Sequence, residues 1–223
     1  MRLAVSTIIL ASAGALFGQT SVETRLEEAA TVLSEVMSMS DKAIPQELLD
    51  RSQCIVVVPG MLKGAFIVGA KYGKGFLSCR KKGGTGWTGP GAIRVEGGSF
   101  GFQIGGSETD VIMLVMNERG AQRLLSSKFT LGGDASVAAG PVGRTATAQT
   151  DAYMTAEILS YSRSRGIFAG IALNGATLRP DQEDNQSLYG RAITNKEIIT
   201  KEVPPPKSAE NLISLFNKYS GRK

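Results

Sequence analysis

Apolar residues in the first part of the chain recur at two different spacings, and each spacing predicts a different element. Over residues 21–40 apolar side chains return every three or four positions with glutamates between them, which predicts an amphipathic helix. Pro45 suits the first turn of a second, short helix. From Cys54 the period changes: residues 54–58 form a β-branched run, which predicts a buried strand that stops at Pro59 and Gly60.

The middle and the last part of the chain predict a sheet. Strands are expected near residues 65–71, 75–81, 91–95, 99–105, 109–116, 145–148, 158–162 and 167–173. Their short, glycine-rich connections, including a hairpin at 163–166, favour antiparallel neighbours. Asn117 is a candidate N-cap for a helix, and a last helix is expected from Ser208. The predicted fold class is α+β: a curled antiparallel sheet or partial β-barrel with N- and C-terminal flanking helices.

The N-terminus is typical of a secretory signal. Met1 and Arg2 precede an apolar run over residues 3–17, which is shorter than the roughly 20 residues that span a bilayer. We predict a signal peptide over residues 1–18, cut after the small residues at 13–15 or near Gly18; an uncleaved anchor is the alternative. Residues 19–223 then form a single domain. The expected location is periplasmic or secreted, with peripheral attachment to the outer membrane as a variant.

The chemistry of the chain argues against catalysis. There is no histidine, which excludes Ser-His-Asp and Cys-His catalysis and histidine metal sites. No phosphate-binding or dinucleotide-binding glycine motif is present. We therefore expect no enzymatic activity and no cofactor. The two cysteines, Cys54 and Cys79, either pair in an oxidising compartment or remain buried thiols on neighbouring strands, and the sequence leaves both open.

Charge is unevenly distributed along the chain. Residues 19–50 carry seven acidic and two basic side chains, whereas residues 51–95 carry eight basic side chains and no acidic one. These eight are Arg51, Lys63, Lys71, Lys74, Arg80, Lys81, Lys82 and Arg94. They either form an exposed face that attracts anionic lipid or pack against the acidic N-terminal helices. The acidic cluster at 181–184 is interpreted as a solvated turn, and Asp110 as a backbone-capping residue rather than a hydrolase carboxylate.

Several residues of this basic segment are candidates for membrane contact. A loop at 59–64 would insert two apolar side chains into a lipid interface while its lysine meets a phosphate, or the same two side chains would cap the core. A hairpin at 72–75 would be flanked by further lysines. The single tryptophan lies in a glycine-rich loop and suits a membrane interface, or it folds over the core. The candidate lipid-binding residues are Met61, Leu62, Lys63, Lys71, Lys74, Arg80, Lys81, Lys82 and Trp87.

Ordered motifs over residues 22–219 resemble the SYLF domain family. They include Val57-Val58-Pro59-Gly60, Gly86-Trp87-Thr88-Gly89-Pro90 and the run from Tyr161 to Gly170. The resemblance implies a lipid-binding module, because eukaryotic relatives bind phosphoinositides at membranes. Some fungal relatives also bind actin. Bacterial members are commonly exported or linked to the outer membrane. The actin activity is not carried over, since bacteria generally lack such actin in the periplasm.

The chain departs from the family at its first helix. Membrane binding in some relatives is attributed to a basic amphipathic N-terminal helix, whereas four glutamates make the corresponding helix acidic here. The expected function is therefore non-enzymatic binding of anionic phospholipid, with phosphoinositide-like headgroups in relatives, through the basic β-rich surface at an envelope membrane. The alternative is a periplasmic structural or protein-interaction module with no lipid ligand. No nucleic-acid partner is expected.

Overall fold

The computed structural model describes residues 21–39, 43–65, 68–100, 105–143 and 155–220. The predicted signal peptide and the strand expected at 145–148 lie outside these ranges. Within them, no helix is both long enough and apolar enough to cross a bilayer.

Helices stand near both ends of the described chain, and strands fill the region between them. The helices are α1 (Val22–Ser38), α2 (Gln46–Arg51), α3 (Glu118–Leu124), α4 (Gln182–Tyr189), α5 (Asn195–Thr200) and α6 (Glu210–Tyr219). The strands are β1 (Cys54–Ala65), β2 (Val68–Cys79), β3 (Gly91–Phe100), β4 (Gly105–Val115), β5 (Phe129–Thr130), β6 (Val137–Ala139), β7 (Ile158–Ser164), β8 (Ile167–Gly170) and β9 (Thr177–Pro180).

All nine described strands belong to one curled sheet that forms a half-barrel. Its order is β5-β9-β3-β2-β1-β4-β7-β6, and β8 also pairs with β7. Neighbours are antiparallel except β6 and β7, which are parallel. The predicted α+β class with a curled sheet and flanking helices is confirmed, with the parallel β6–β7 pair as the one departure from an antiparallel sheet.

The central strands are buried on both faces. Ile55 and Val57 of β1 point into a core shared with α1, α2 and α6, while Val56 and Val58 point into a second core on the other face, which includes residues of α3 and α5. A strand that is covered on both faces has no solvent-facing positions, which explains why the first part of β1, residues 54–58, is continuously apolar rather than alternating.

The first strand does not stop at Pro59 and Gly60. The register against β4 shifts between Val58 and Met61, which marks a bulge, and Gly60 takes a positive φ of 55° there. Asp110 accepts the Gly60 N–H at 3.0 Å and so caps the bulge, as expected. Since β1 continues to Ala65, residues 59–64 are not the predicted loop; Met61 lies in the core, whereas Leu62 is exposed on the strand.

The hairpin expected at residues 72–75 is also wrong, because these residues lie inside β2. The glycines there mark close approach of backbone to backbone. A Cβ atom on Gly75 would lie 2.2 Å from the Val57 carbonyl oxygen, and one on Gly73 would lie 2.9 Å from a methyl group of Val58. The glycines at 73 and 75 therefore indicate tight packing between β1 and β2 rather than a turn.

Local signals elsewhere are confirmed. The side chain of Asn117 accepts an N–H from the first turn of α3, as predicted; Ser21, which the sequence did not single out, does the same for α1. Arg165 and Gly166 take positive φ angles of 49° and 79° in the turn of the β7–β8 hairpin. The sequence pattern did not predict α4 or α5.

Candidate functional site

Lys74 belongs to a buried ion-pair group and not to an exposed basic surface. Its ammonium lies 2.8 Å from Asp181 and 3.3 Å from Asp184, and Asp184 also pairs with Arg25 of α1 at 2.6 Å. Burial opposes the charged forms, but the hydrogen-bonded pair outweighs it, so the pKa of Lys74 is raised and that of Asp181 is lowered. This group joins β2 to α1 and α4.

Two sequence-based interpretations are corrected by this group. Lys74 is not available to a lipid, because its side chain is 15% exposed and faces carboxylates. The cluster at 181–184 is not a solvated turn, because Asp181 is buried and its side chain accepts the Asp184 N–H at the start of α4.

Arg80 and Trp87 are also structural. The Arg80 guanidinium lies 4.3 Å from the centre of the Trp87 ring and donates to the carbonyl oxygens of Leu49 and Ser220. Trp87 is 1% exposed and its ring packs against Phe216 of α6. Of the two alternatives that the sequence offers for Trp87, the structure has the one in which the ring folds over the core, where it joins the end of β2 to the C-terminal helix.

Lys81 and Lys82 are exposed in the turn that follows β2. Beside them Cys54 and Cys79, which lie directly opposite each other on β1 and β2, form a disulfide. The structure thus contains the bridge that the sequence left open. Eight residues of extended chain separate Lys71 from Cys79, a distance of roughly 26 Å at 3.3 Å per residue. Lys81 and Lys82 consequently lie at the opposite end of the sheet from Lys63 and Lys71.

Lys63 and Lys71 lie directly opposite each other on β1 and β2, near the end of the sheet where β1 to β4 terminate. We call this region, defined by Leu62, Lys63, Lys71 and Tyr72, the strand end. In the described part of the chain neither lysine forms an ion pair. Burial, and then the charge of Lys71, lower the pKa of Lys63. Two cations thus face each other, and no carboxylate of the described ranges pairs with either of them.

The other face of the strand end carries apolar side chains. Leu62 and Tyr72 lie directly opposite each other, and they are 58% and 44% exposed. Because side chains alternate along a strand, this pair and the lysine pair point to opposite faces. Beyond them β1 and β2 continue only through small or apolar residues: Gly64, Ala65, Val68, Gly69 and Ala70.

Acidic residues flank only the apolar face. Glu108 lies opposite Leu62 on β4, and Glu96 lies opposite Tyr72 on β3, where it pairs with Arg94 and Arg179. The lysine face is flanked by Ser107 and Gly97, which carry no charge. The strand end therefore has one cationic face, one exposed apolar face and no charged residue on β1 or β2 beyond the two lysines.

The nine candidate residues consequently separate into four groups. The strand end brings together Leu62, Lys63 and Lys71, and the far end of the sheet carries Lys81 and Lys82. Ion pairs hold Lys74, and main-chain carbonyls hold Arg80. The core contains Met61 and Trp87. Tyr72 was missed because its segment was assigned to a turn. Once the register is known, its place opposite Leu62 identifies it.

A second concave region lies between α1 and β4. It is a cleft of about 370 Å³, and its lining includes Glu27, Glu28, Glu108, Asp110 and Arg163. Arg163 donates to Asp110 at 2.8 Å and also contacts Glu35. Within the described ranges no three cysteine, aspartate or glutamate side chains are placed to hold one metal ion.

The amino-acid sequence is similar to a known family of proteins. Residues 96–219 match the Ysc84 family model, described as Las17-binding protein actin regulator. The chain is 30% identical over 206 residues to SH3 domain-containing YSC84-like protein 1 of Rattus norvegicus, covering 90% of this chain and 60% of that protein. It is 31% identical over 205 residues to LAS seventeen-binding protein 3 of Saccharomyces cerevisiae, covering 88% and 44%. The chain thus spans only about half of the length of such relatives.

Proposed function

The chain belongs to the Ysc84 family of Las17-binding actin regulators, which carries the SYLF domain, and on that premise we propose that it binds anionic phospholipid through the strand end. Binding is non-enzymatic and takes place at a membrane of the cell envelope. The observation that carries the proposal is the lysine pair: Lys63 and Lys71 face each other with no ion-pair partner in the described chain.

An anionic headgroup between these lysines removes an unfavourable interaction. Like charges directly opposite on neighbouring strands destabilise a sheet. A phosphate bound between Lys63 and Lys71 replaces their repulsion with attraction and favours the charged form of Lys63, whose pKa is lowered in the free protein. The site is therefore better suited to a bound anion than to an empty state.

Exposed apolar side chains at the same place favour a membrane over a free phosphate. Leu62 and Tyr72 are among the exposed large apolar residues of the described chain, and they are adjacent. A leucine gains from burial in the acyl region, and a tyrosine suits the boundary between headgroups and acyl chains. Electrostatic attraction through the lysines and insertion of these two side chains would act together.

Export is part of the same proposal. A disulfide persists in oxidising compartments and is rare in reducing ones, and Cys54 and Cys79 are bridged. This agrees with the signal-like N-terminus of the sequence. We place the protein in the periplasm or outside the cell, bound peripherally to an envelope membrane.

Vesicle co-sedimentation of the mature protein tests the proposal. We expect stronger binding to vesicles that contain acidic lipid than to neutral ones, and weaker binding at high salt. Each lysine near an anionic surface contributes about 1 kcal/mol, so the double variant Lys63→Gln/Lys71→Gln should bind about 30-fold more weakly. The matched control, Lys81→Gln/Lys82→Gln, removes the same charge at the far end and should bind vesicles like the wild type.

Two outcomes would contradict the proposal. Equal binding to neutral and acidic vesicles would show that electrostatic attraction does not contribute. An equal loss of vesicle affinity in the two double variants would show that the strand end is not the binding site. Complete indifference to vesicles would instead favour a protein-interaction module without a lipid ligand, the second candidate function, which the family description as Las17-binding supports.

Removing one charge of the lysine pair should stabilise the fold. We expect Lys63→Gln to raise the free energy of unfolding at pH 7 by about 0.5 kcal/mol. The pKa of Lys63 is lowered in the folded state, so its protonated form lowers the stability of the fold at neutral pH. As pH rises toward 10.5, Lys63 loses its proton in the folded protein before it does so in the unfolded chain, and the wild type regains that stability. Urea denaturation between pH 7 and pH 10 should show the advantage of the variant shrinking, whereas exposed Lys196→Gln changes little. A variant less stable than wild type at pH 7 would contradict the unpaired charge.

A further inference from the structure

A cleft lies beside the disulfide, at the end of the sheet opposite the strand end. It has a volume of about 310 Å³ and lies between the turn after β2 and helix α3. Its lining includes Cys54, Cys79, Ala121, Leu125 and Ile199, and none of these five side chains carries a charge. We call this region the disulfide cleft. It shares no lining residue with the strand end.

The rim of the disulfide cleft is cationic. Lys81 and Lys82 line it and are exposed, and neither forms an ion pair within the described ranges. The backbone N–H of Lys82 donates to Glu202 at 2.7 Å, which fixes the turn that presents both lysines. Glu118 is the one acidic residue in the lining; with Glu202 at the turn there are two carboxylates against the three cations Arg80, Lys81 and Lys82.

Arg80 also contributes to the lining, but its charged group is already engaged. The guanidinium donates to main-chain carbonyl oxygens and covers Trp87. The amide side chains of Gln53 and Gln122 complete the polar rim and offer hydrogen-bond donors. A carboxylate or phosphate at the rim would thus meet two exposed ammonium groups and two amides.

We propose that the disulfide cleft binds a single-chain anionic amphiphile of the fatty-acid class, with its head at Lys81 and Lys82 and its chain over the disulfide, Leu125 and Ile199. An apolar floor and a cationic rim match the two parts of such a molecule. The volume is near the lower limit for small-molecule sites, which suits one alkyl chain and not the two chains of a phospholipid.

Decanoate, below the concentration at which it forms micelles, is the probe that tests this site. We expect saturable binding by calorimetry and chemical-shift changes in the amides of Gln122, Leu125 and Ile199. Decanol, which has the same chain but no charge, should bind at least fivefold more weakly, and decyltrimethylammonium more weakly still. Shortening the probe to octanoate should weaken binding by about fourfold for each methylene removed from the floor.

Variants separate the head and the chain contacts. Lys81→Gln/Lys82→Gln should weaken decanoate binding at least fivefold and leave decanol binding unchanged, because only the head contacts are lost. Ala121→Phe places a ring over the floor and should weaken both ligands. These lysines are exposed, so the lysine variant tests the site even if the phenylalanine variant does not fold.

The matched control is Lys63→Gln/Lys71→Gln, which should bind decanoate like the wild type although it loses vesicle binding. The proposal is overturned if decanoate shows no saturable binding, if the cationic amphiphile binds as well, or if the Lys81→Gln/Lys82→Gln protein binds decanoate unchanged. Since the two sites share no residue, either can fail while the other stands.

Discussion

Replacing Lys74 by methionine is expected to lower the free energy of unfolding by about 3 kcal/mol. The substitution keeps the length of the side chain but leaves Asp181, whose side chain is 3% exposed, without its cation. A buried carboxylate without a partner is costly, since it is removed from water and receives no compensating charge. Urea denaturation at pH 7 measures the loss. Lys71→Met is the control on the same strand; in the described part of the chain this lysine pairs with no carboxylate, so the substitution should not destabilise the fold and should instead raise stability by about 0.5 kcal/mol through loss of repulsion with Lys63.

The pH dependence of this loss provides a second check. The pKa of Asp181 is lowered below 3.8 in the folded protein, so its pairing stabilises the fold at neutral pH, and this contribution is lost as pH falls through the folded-state pKa. The difference between wild type and Lys74→Met should therefore shrink in acid. A difference that stays constant down to pH 2, or a variant as stable as wild type at pH 7, would contradict the ion-pair group.

Removal of the disulfide is expected to lower stability by about 3 kcal/mol. The bridge joins residues separated by 25 positions, and without it the unfolded chain gains the freedom of that loop. Cys54→Ser/Cys79→Ser should therefore unfold at a lower urea concentration than the oxidised wild type. Wild type treated with reductant should unfold at nearly the same concentration as the variant.

The reductant also provides the control for this prediction. It should not change the urea midpoint of Cys54→Ser/Cys79→Ser, since no bridge remains to be reduced. If reductant leaves the oxidised wild type unchanged as well, while mass spectrometry shows two free thiols, the bridge contributes nothing to stability and the expectation is wrong.

Elements whose signals are local could be predicted from the sequence. The helical spacing after Ser21 predicted α1, and the Arg165–Gly166 turn predicted the β7–β8 hairpin, because capping groups and turn residues lie beside the elements they specify. The curled sheet followed from many short strands with short connections. These features need no knowledge of distant partners.

Features that depend on distant partners could not be predicted. Lys74 and Asp184 are 110 positions apart, so a count of charges over residues 51–95 could not reveal that this lysine is neutralised. The strand continues past Gly60 because Asp110, fifty positions away, accepts its N–H. The sequence alone suggested a single basic face, but β2 is extended, so Lys63 and Lys71 lie at one end of the sheet and Lys81 and Lys82 at the other.

The central claim is that Leu62 and its neighbours at the strand end enter an anionic membrane, and tryptophan fluorescence of Leu62→Trp tests it most directly. The native Trp87 is buried and serves as a constant background. With acidic vesicles the emission should shift to the blue, and lipids with brominated chains should quench it; neutral vesicles should do neither. Thr85→Trp, at an exposed position in the turn after β2 at the far end of the sheet, is the control and should not respond. Vesicle binding that leaves the Leu62→Trp spectrum unchanged, or that shifts Thr85→Trp instead, would contradict the assignment.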